Sequence, residues 1–244
     1  KKDFNDINLD LFLQIVFMSL AVYTRQLYAV VFLYFVFLYY KKLKFKTFFL
    51  SSVIIFLFAL PGIFLVFNLP LILSVNFDNR FYNSILVDSS IISFYLIPIF
   101  FALMVNDRQL FTDKKKILFI AMIFSILIVG TLLVIPFDYN PKIGGGFLLK
   151  LSIILFNNNL LFYLSSVIGF ILLIYLSMED KNNFILFLLF LFGFSGYWVF
   201  QKYFEPMFFF IFFLMIKSGI STIFLKNIKN IYFLFFYLAI YLVT

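Results

Sequence analysis

Lys114-Lys115-Lys116-Ile117-Leu118-Phe119-Ile120-Ala121-Met122-Ile123-Phe124-Ser125-Ile126-Leu127-Ile128-Val129-Gly130-Thr131-Leu132-Leu133-Val134-Ile135 is the stretch that decides the fold. Three cations precede nineteen residues without a charge. As a helix those nineteen residues reach about 28 Å at 1.5 Å per residue, close to the roughly 30 Å hydrocarbon core of a bilayer. Working outward, the same pattern recurs along the chain. Apolar runs bounded by polar punctuation cover Leu11–Tyr23, Gln26–Tyr40, Thr47–Phe67, Ser89–Val105, Ile117–Ile135, Leu160–Ser177, Phe184–Phe200, Pro206–Ile220 and Ile231–Val243. The run Phe147–Phe156 is too short to cross and reads as an interfacial or re-entrant helix. The expectation is an all-α polytopic transmembrane helix bundle of about nine spans, with one short re-entrant or interfacial helix, forming a single transmembrane domain over residues 1–244.

Composition supports lipid as the solvent. Hydrophobic residues make up 65% of the 244 positions and charged residues 12%, and the mean hydropathy is +1.11. Soluble domains carry about 25% charged residues, so a water-facing surface is excluded for most of this chain. There is no Cys and no His, which removes disulfides, thiolate chemistry, the commonest metal ligand and the usual general base. Acid–base work falls to Asp, Glu, Lys or Tyr, and neither a metal nor a cofactor is expected. Forty-two Phe, with Ile, Asn and Lys common, reflect an AT-rich genome. The chain starts at Lys1 with no signal-peptide pattern in residues 1–10, so it is expected to be the C-terminal part of a longer chain.

Lys and Arg accumulate in cytoplasmic loops, and this orients the spans. Lys41, Lys42, Lys44 and Lys46 follow the second segment, Arg108 and Lys114–Lys116 the fourth, Lys226 and Lys229 the eighth. With nine spans these fall on one side together with Lys1, Lys2 and Lys181. Arg25, Arg80, Lys142, Lys150 and Lys202 face the other side. The net charge of +8 is thereby explained by topology, without nucleic acid. The longer loops, Asn68–Asp88 and Pro136–Asn159, lie on the outer face, where a scaffold of helices would present function.

Arg25, in Tyr23-Thr24-Arg25-Gln26, sits between two apolar segments with almost no loop. A guanidinium at an interface is costly unless paired or useful, and its planar fork matches phosphate oxygens; a snorkelling Arg in a tight turn is the alternative. Trp198-Val199-Phe200-Gln201-Lys202-Tyr203-Phe204-Glu205-Pro206 belongs to the same outer face, with Pro206 expected at the first position of the next helix. Lys202 would bring a second cation to the depth of Arg25, with Tyr203 nearby, an arrangement suited to a phosphate head group. Aromatic belt anchors and a local Lys202–Glu205 ion pair explain the same residues equally simply. Lys217 is expected some eleven residues into its helix, reaching the cytoplasmic interface. Asp78, Asp88 and Asp138 are the outer-face carboxylates; each is of a type that serves as a base or metal ligand, but they form no recognisable spacing, and two stand in ordinary turn contexts. Gly144-Gly145-Gly146 reads as a flexible loop rather than a phosphate nest, since it follows no strand and lacks the P-loop Lys-Ser/Thr. Pro61-Gly62 and Pro98 predict kinks inside the third and fourth spans.

Thr24-Arg25-Gln26 at the outer end of a span, followed by Leu27-Tyr28 and an aromatic-rich helix, resembles the Arg-Gln motif of dolichyl-phosphoglucose-dependent α-1,2-glucosyltransferases, membrane enzymes of the GT-C class. Lys202-Tyr203-Phe204-Glu205-Pro206 resembles the basic-aromatic-Pro element before the last helices of that family. The resemblance implies sugar transfer on the extracytoplasmic face from a polyprenyl-phosphate sugar donor to a lipid-linked or envelope glycan acceptor. It implies a substrate-binding set of Arg25, Gln26, Lys202, Tyr203 and Glu205, with the catalytic base in a first outer loop upstream of Lys1. The expected partners are donor, acceptor and membrane lipid, and short loops with AT bias point to a bacterial inner membrane. The alternatives are a lipid-linked glycan flippase, transporter or polymerase, and a non-catalytic membrane subunit. A flippase needs charge at mid-membrane depth, and on the sequence only Lys217 comes close.

Overall fold

The computed structural model describes residues 9–24, 28–68, 80–106, 115–141, 144–193 and 199–243. These form helices with no strand among them, the outcome expected where lipid offers the backbone no hydrogen bonds and each segment must satisfy its own. In chain order the helices are α1 (Leu9–Thr24), α2 (Tyr28–Lys42), α3 (Phe45–Asn68), α4 (Arg80–Asn106), α5 (Lys115–Leu132), α6 (Gly146–Phe156), α7 (Leu160–Glu179), α8 (Lys181–Gly193), α9 (Gln201–Phe210, continuing as a π-helical turn Ile211–Met215), α10 (Gly219–Lys226) and α11 (Ile228–Val243). Four of them, α3, α4, α5 and α7, are long and apolar enough to cross a membrane, or five spans if the bent pair Met207–Met215 and Gly219–Lys226 counts as one. This is compatible with an integral membrane protein. The four remaining predicted spans correspond to described helices of 13 to 16 residues, shorter than the roughly 20 residues of a straight crossing.

Several boundaries differ from the sequence reading. The span expected to begin at Ser89 begins at Arg80, because Asn83, Ser84, Asp88 and Ser89 look polar in sequence but are buried among other helices. The span expected to reach Phe200 ends as a helix at Gly193, and residues 199 and 200 are extended. The segment Pro206–Ile220 is not one helix. It starts at Gln201, so Pro206 is its sixth residue rather than its first, and it breaks over residues 216–218 with a bend of 102° before α10. Lys217 therefore lies in the break, exposed, and not deep in a helix. The break is fastened by Asn183, whose amide donates to the Lys217 carbonyl (3.0 Å) and accepts the Lys217 N–H (3.0 Å), while Ser218 donates to Glu179 and caps α10. α6 is a separate eleven-residue helix, as short as the sequence suggested, closed by Asn157 in the left-handed conformation.

The chain divides into two compact units, Lys1–Phe77 and Asp78–Thr244. In the first, Leu11 and Ile15 of α1 pack with Tyr39 of α2 and with Phe48, Ile54, Ile55 and Phe58 of α3. The Tyr23 hydroxyl donates to the Phe58 carbonyl and accepts the Gly62 N–H at 3.2 Å. It thus occupies the place of the i→i−4 rung just beyond Pro61, and α3 runs on through the proline.

In the second unit α4 is central, with 89% of its apolar window buried, against 17% for α5. Its partner is α7. Ser90 and Ser165 hydroxyls meet at 2.6 Å, and Ser166 donates to the Leu86 carbonyl at 2.9 Å. A Cβ on Gly169 would stand 2.0 Å from the Ser89 carbonyl oxygen, so the two backbones touch. Small residues at third and fourth positions are how helices approach closely in lipid, where the hydrophobic effect between helices is absent. At the opposite end of α4 from Arg80, Asn106 donates to Asn230 of α11.

Candidate functional site

Every residue of α4 from Asn83 to Leu96 is buried. The hydroxyls of Ser89, Ser90 and Ser93 lie on the seam with α7, but Asp88 does not share that face. It is 0% exposed, and among the described residues neither carboxylate oxygen has a hydrogen-bond partner. A turn and a half earlier, Asn83, 1% exposed, donates its amide to the Asp138 carbonyl at 3.3 Å and leaves its own oxygen without a partner. Asp138 itself has an exposed side chain.

The segment carrying Asp138 is tied down by a turn. Val199 N–H donates to the Tyr139 hydroxyl at 2.7 Å, Gly145 N–H donates to the Val199 carbonyl at 3.0 Å, and Phe147 N–H donates to Gln201 Oε1 at 2.6 Å. Gly145 and Gly146 take φ of +87° and +74°, the left-handed region open to glycine. A Cβ on Gly144 would stand 2.8 Å from the Val199 carbonyl oxygen, and one on Gly146 2.6 Å from Ile91 of α4. The triple glycine is therefore a close-packed turn that lets three segments meet, not the flexible loop the sequence suggested. The N–H groups of Gly145 and Phe147 are taken by Val199 and Gln201, which leaves no phosphate nest. Burial pushes the Tyr139 phenol up, against the hydrogen bond from Val199.

The second gathering surrounds the first turns of α9. Gln201, Lys202 and Glu205 lie within five residues. The Tyr95 hydroxyl of α4 donates to Glu205 Oε1 at 3.3 Å. The Gln201 amide nitrogen, buried, lies beside the same phenol without a well-formed hydrogen bond. Lys202 is exposed, with its ammonium 5.5 Å from the Phe200 ring centroid. Tyr241 of α11 comes within electrostatic reach of Glu205. Its ring packs against Phe94 at 4.9 Å and Phe147 at 5.4 Å. A carboxylate, a cation, an amide and two phenols thus collect beside an aromatic wall in an otherwise apolar bundle.

Of the residues the sequence singled out, Lys202 and Glu205 share this site. Tyr203 occupies the same helical turn, and its side chain lies outside the described residues, as do Arg25, Gln26 and Asp78. Gln201, Tyr95, Tyr139, Asn83 and the buried role of Asp88 were missed. The signal was present: Asn83-Ser84-Ile85-Leu86-Val87-Asp88-Ser89-Ser90-Ile91-Ile92-Ser93 places small polar residues at helical spacing in an apolar run, the mark of a helix interface in a membrane rather than of a loop. Among the described residues no group of three or more acidic or metal-ligating side chains is placed to hold a metal ion. No protein-family model, curated protein or solved structure matches the chain.

Proposed function

We propose that the chain is the membrane portion of a glycosyltransferase that moves a sugar from a polyprenyl-phosphate donor to a lipid-linked or envelope glycan acceptor, on the extracytoplasmic face of a bacterial inner membrane. The observation that carries the reading is the cluster at the start of α9. Lys202 offers a cation at a helix N-terminus, where the macrodipole already favours anions. Glu205, Gln201 and Tyr95 offer the acceptor and donor atoms that sugar hydroxyls need, beside the aromatic faces of Phe94, Phe147 and Tyr241. Lys202 would stabilise the departing phosphate in an inverting displacement at the anomeric carbon, with Tyr203 hydrogen-bonding to phosphate or sugar; Arg25 and Gln26 are donor-binding candidates from the sequence alone. In this reading the helices cross the membrane about nine times, with the Lys-rich links in the cytoplasm.

The test is transfer of radiolabelled sugar from a polyprenyl-phosphate donor into membrane lipid by the full-length gene product, beside its Lys202→Ala, Glu205→Gln and Arg25→Ala variants. Losing one donor to developing charge in a dry site costs about 10²–10³ in rate. Loss on that scale in folded Lys202→Ala and Arg25→Ala supports the reading, and wild-type transfer in both removes it. One observation favours a second reading. Asp88 is a fully buried carboxylate inside α4, the kind of intramembrane group that marks ion pathways, and it favours an ion-coupled flippase or transporter. Labelled lipid that changes leaflet without receiving sugar would decide for it.

A further inference from the structure

We propose that the groove formed by α5, α7 and α8, at the end of the second unit that carries Lys116 and Lys181, holds an anionic phospholipid. The proposal needs only a bilayer around these helices and depends on neither functional reading.

Two antiparallel helices build the groove. At one end of their seam Leu133 of α5 and Leu160 of α7 line a common groove, and at the other Ile120 and Met178 do, so the first turns of α5 lie beside the last turns of α7. The groove at this second end measures about 490 Å³, within the roughly 300–1,000 Å³ of small-molecule sites. It is lined by Ile120 and Phe124 of α5, Ile174 and Met178 of α7, and Lys181 and Phe184 of α8. Ile120, Phe124, Met178 and Phe184 are exposed, so the groove opens outward and not into the bundle. Ser177, the other polar side chain of the wall, donates its hydroxyl to the Leu173 carbonyl of its own helix at 2.8 Å and asks nothing of an occupant. Such a wall suits an apolar chain.

Charge gathers at one end of the groove. Lys116, Ile120 and Phe124 recur at every fourth residue and share one face of α5. Lys116, exposed, lies about 6 Å before Ile120 along the helix and carries its ammonium on a flexible four-carbon stem. Lys115 precedes it. Lys217 joins this end through Asn183, which holds its backbone two residues after Lys181. Two carboxylates belong to the same corner, and both serve the fold: Glu179 accepts the Ser218 hydroxyl, and Asp180 accepts the Asn182 N–H at 2.7 Å. Four lysines against two carboxylates leave the corner cationic. The groove at the opposite end of the seam makes the comparison, since Asn158, Asn159 and Tyr163 are its polar residues and none of its described lining residues is charged.

An apolar wall that runs up to a cationic end is complementary to the acyl chain and phosphate of an anionic lipid, and basic pockets between transmembrane helices take such head groups. A zwitterionic lipid brings its own cation to the lysines. A free phosphate leaves the wall unfilled.

The experiment uses the full-length protein, purified in a neutral detergent and stripped of lipid. It is titrated with phosphatidylglycerol or with phosphatidylcholine of the same acyl chains, and bound lipid is counted by native mass spectrometry. Each lysine beside a lipid head group contributes about fivefold in affinity for anionic lipid. The expected result is a preference for phosphatidylglycerol of roughly 25-fold, from two lysines, abolished in Lys116→Gln/Lys181→Gln with phosphatidylcholine binding unchanged. Ser177→Leu, which puts bulk into the groove without touching a charge, should weaken both lipids. Equal wild-type affinity for the two lipids overturns the proposal, and so does a preference that survives in the double variant. Full binding of phosphatidylglycerol by Ser177→Leu also overturns it, because the lipid would then sit on the open surface. Both lysines are exposed, so their loss leaves the core intact; should the double variant not fold, the single variants, at about fivefold each, decide the matter.

Discussion

Replacing Gly169 by alanine should separate the two helices that organise the second unit. An alanine Cβ there would stand 2.0 Å from the Ser89 carbonyl oxygen and 2.8 Å from the Ser89 carbonyl carbon, whereas ordinary contact begins at 3.4 Å. The obstacle is backbone of α4, so no rotamer change relieves it, and one helix must move by about 1.4 Å, the difference between 3.4 and 2.0 Å. A shift of that size carries the Ser90–Ser165 pair from 2.6 Å out of hydrogen-bonding range and strains the Ser166 bond to the Leu86 carbonyl. Overpacking of a tight core costs roughly 1–3 kcal/mol. Each interhelical hydrogen bond in a membrane protein adds only about 0.6 kcal/mol. The expected loss is about 2–4 kcal/mol. It is measured by reversible unfolding in mixed micelles with increasing SDS, followed by circular dichroism. Gly130→Ala is the control, because a Cβ at Gly130 meets nothing within 4 Å, and it should lie within about 0.5 kcal/mol of wild type. If Gly169→Ala were as stable as Gly130→Ala, α4 and α7 would not be in backbone contact and the seam described above would be wrong.

Two further outcomes follow from side chains that hydrogen-bond to backbone. Asn183→Leu removes both bonds to the Lys217 backbone and a third, at 2.9 Å, to the Leu176 carbonyl; it should cost about 3 kcal/mol and raise the rate of proteolysis between Ile216 and Ser218, with unchanged cleavage counting against the fastened break. Tyr23→Phe takes out the hydroxyl that bridges Phe58 and Gly62 in the first unit. The cost is held to about 1 kcal/mol because the direct helical rung can re-form, and a loss several times larger in the same micelle titration would show that the phenol does more than bridge the ladder.

Much of the architecture was legible from local pattern. The runs around Ile117–Ile135 and Leu160–Ser177 are apolar on every side and free of interior breakers, so α5 and α7 appear within a few residues of their expected limits. The run at Phe147–Phe156 was expected to be too short to cross, and α6 is an eleven-residue helix. Misreadings came where a residue's polarity and its environment part company. Asn83, Ser84 and Asp88 were taken for loop because hydropathy scores a side chain alone, while in α4 their surroundings are other helices. Lys217 was placed inside a helix because Pro206–Ile216 is an unbroken apolar run with Ile220 beyond it, and the hold that Asn183, thirty-four residues away, has on the backbone there is not visible locally.

By itself the sequence determined the helical class of this protein. Scarce charge and long apolar runs are compatible with an integral membrane protein, and in lipid helices are the economical way to satisfy the backbone. It also singled out Lys202 and Glu205 from their chemistry and position. Only the tertiary structure decided what surrounds them: the Tyr95 hydroxyl of α4 on Glu205, Tyr241 of α11 within its electrostatic reach, and the Phe200 ring beside Lys202. It alone decided that Asp88 is buried within α4 instead of lying in a loop, and that three glycines form a packed turn instead of a loose loop. The physical reason is the same in each case. Burial, unmet hydrogen bonds and close backbone approach depend on residues brought together from distant parts of the chain, and no local pattern of hydropathy encodes them.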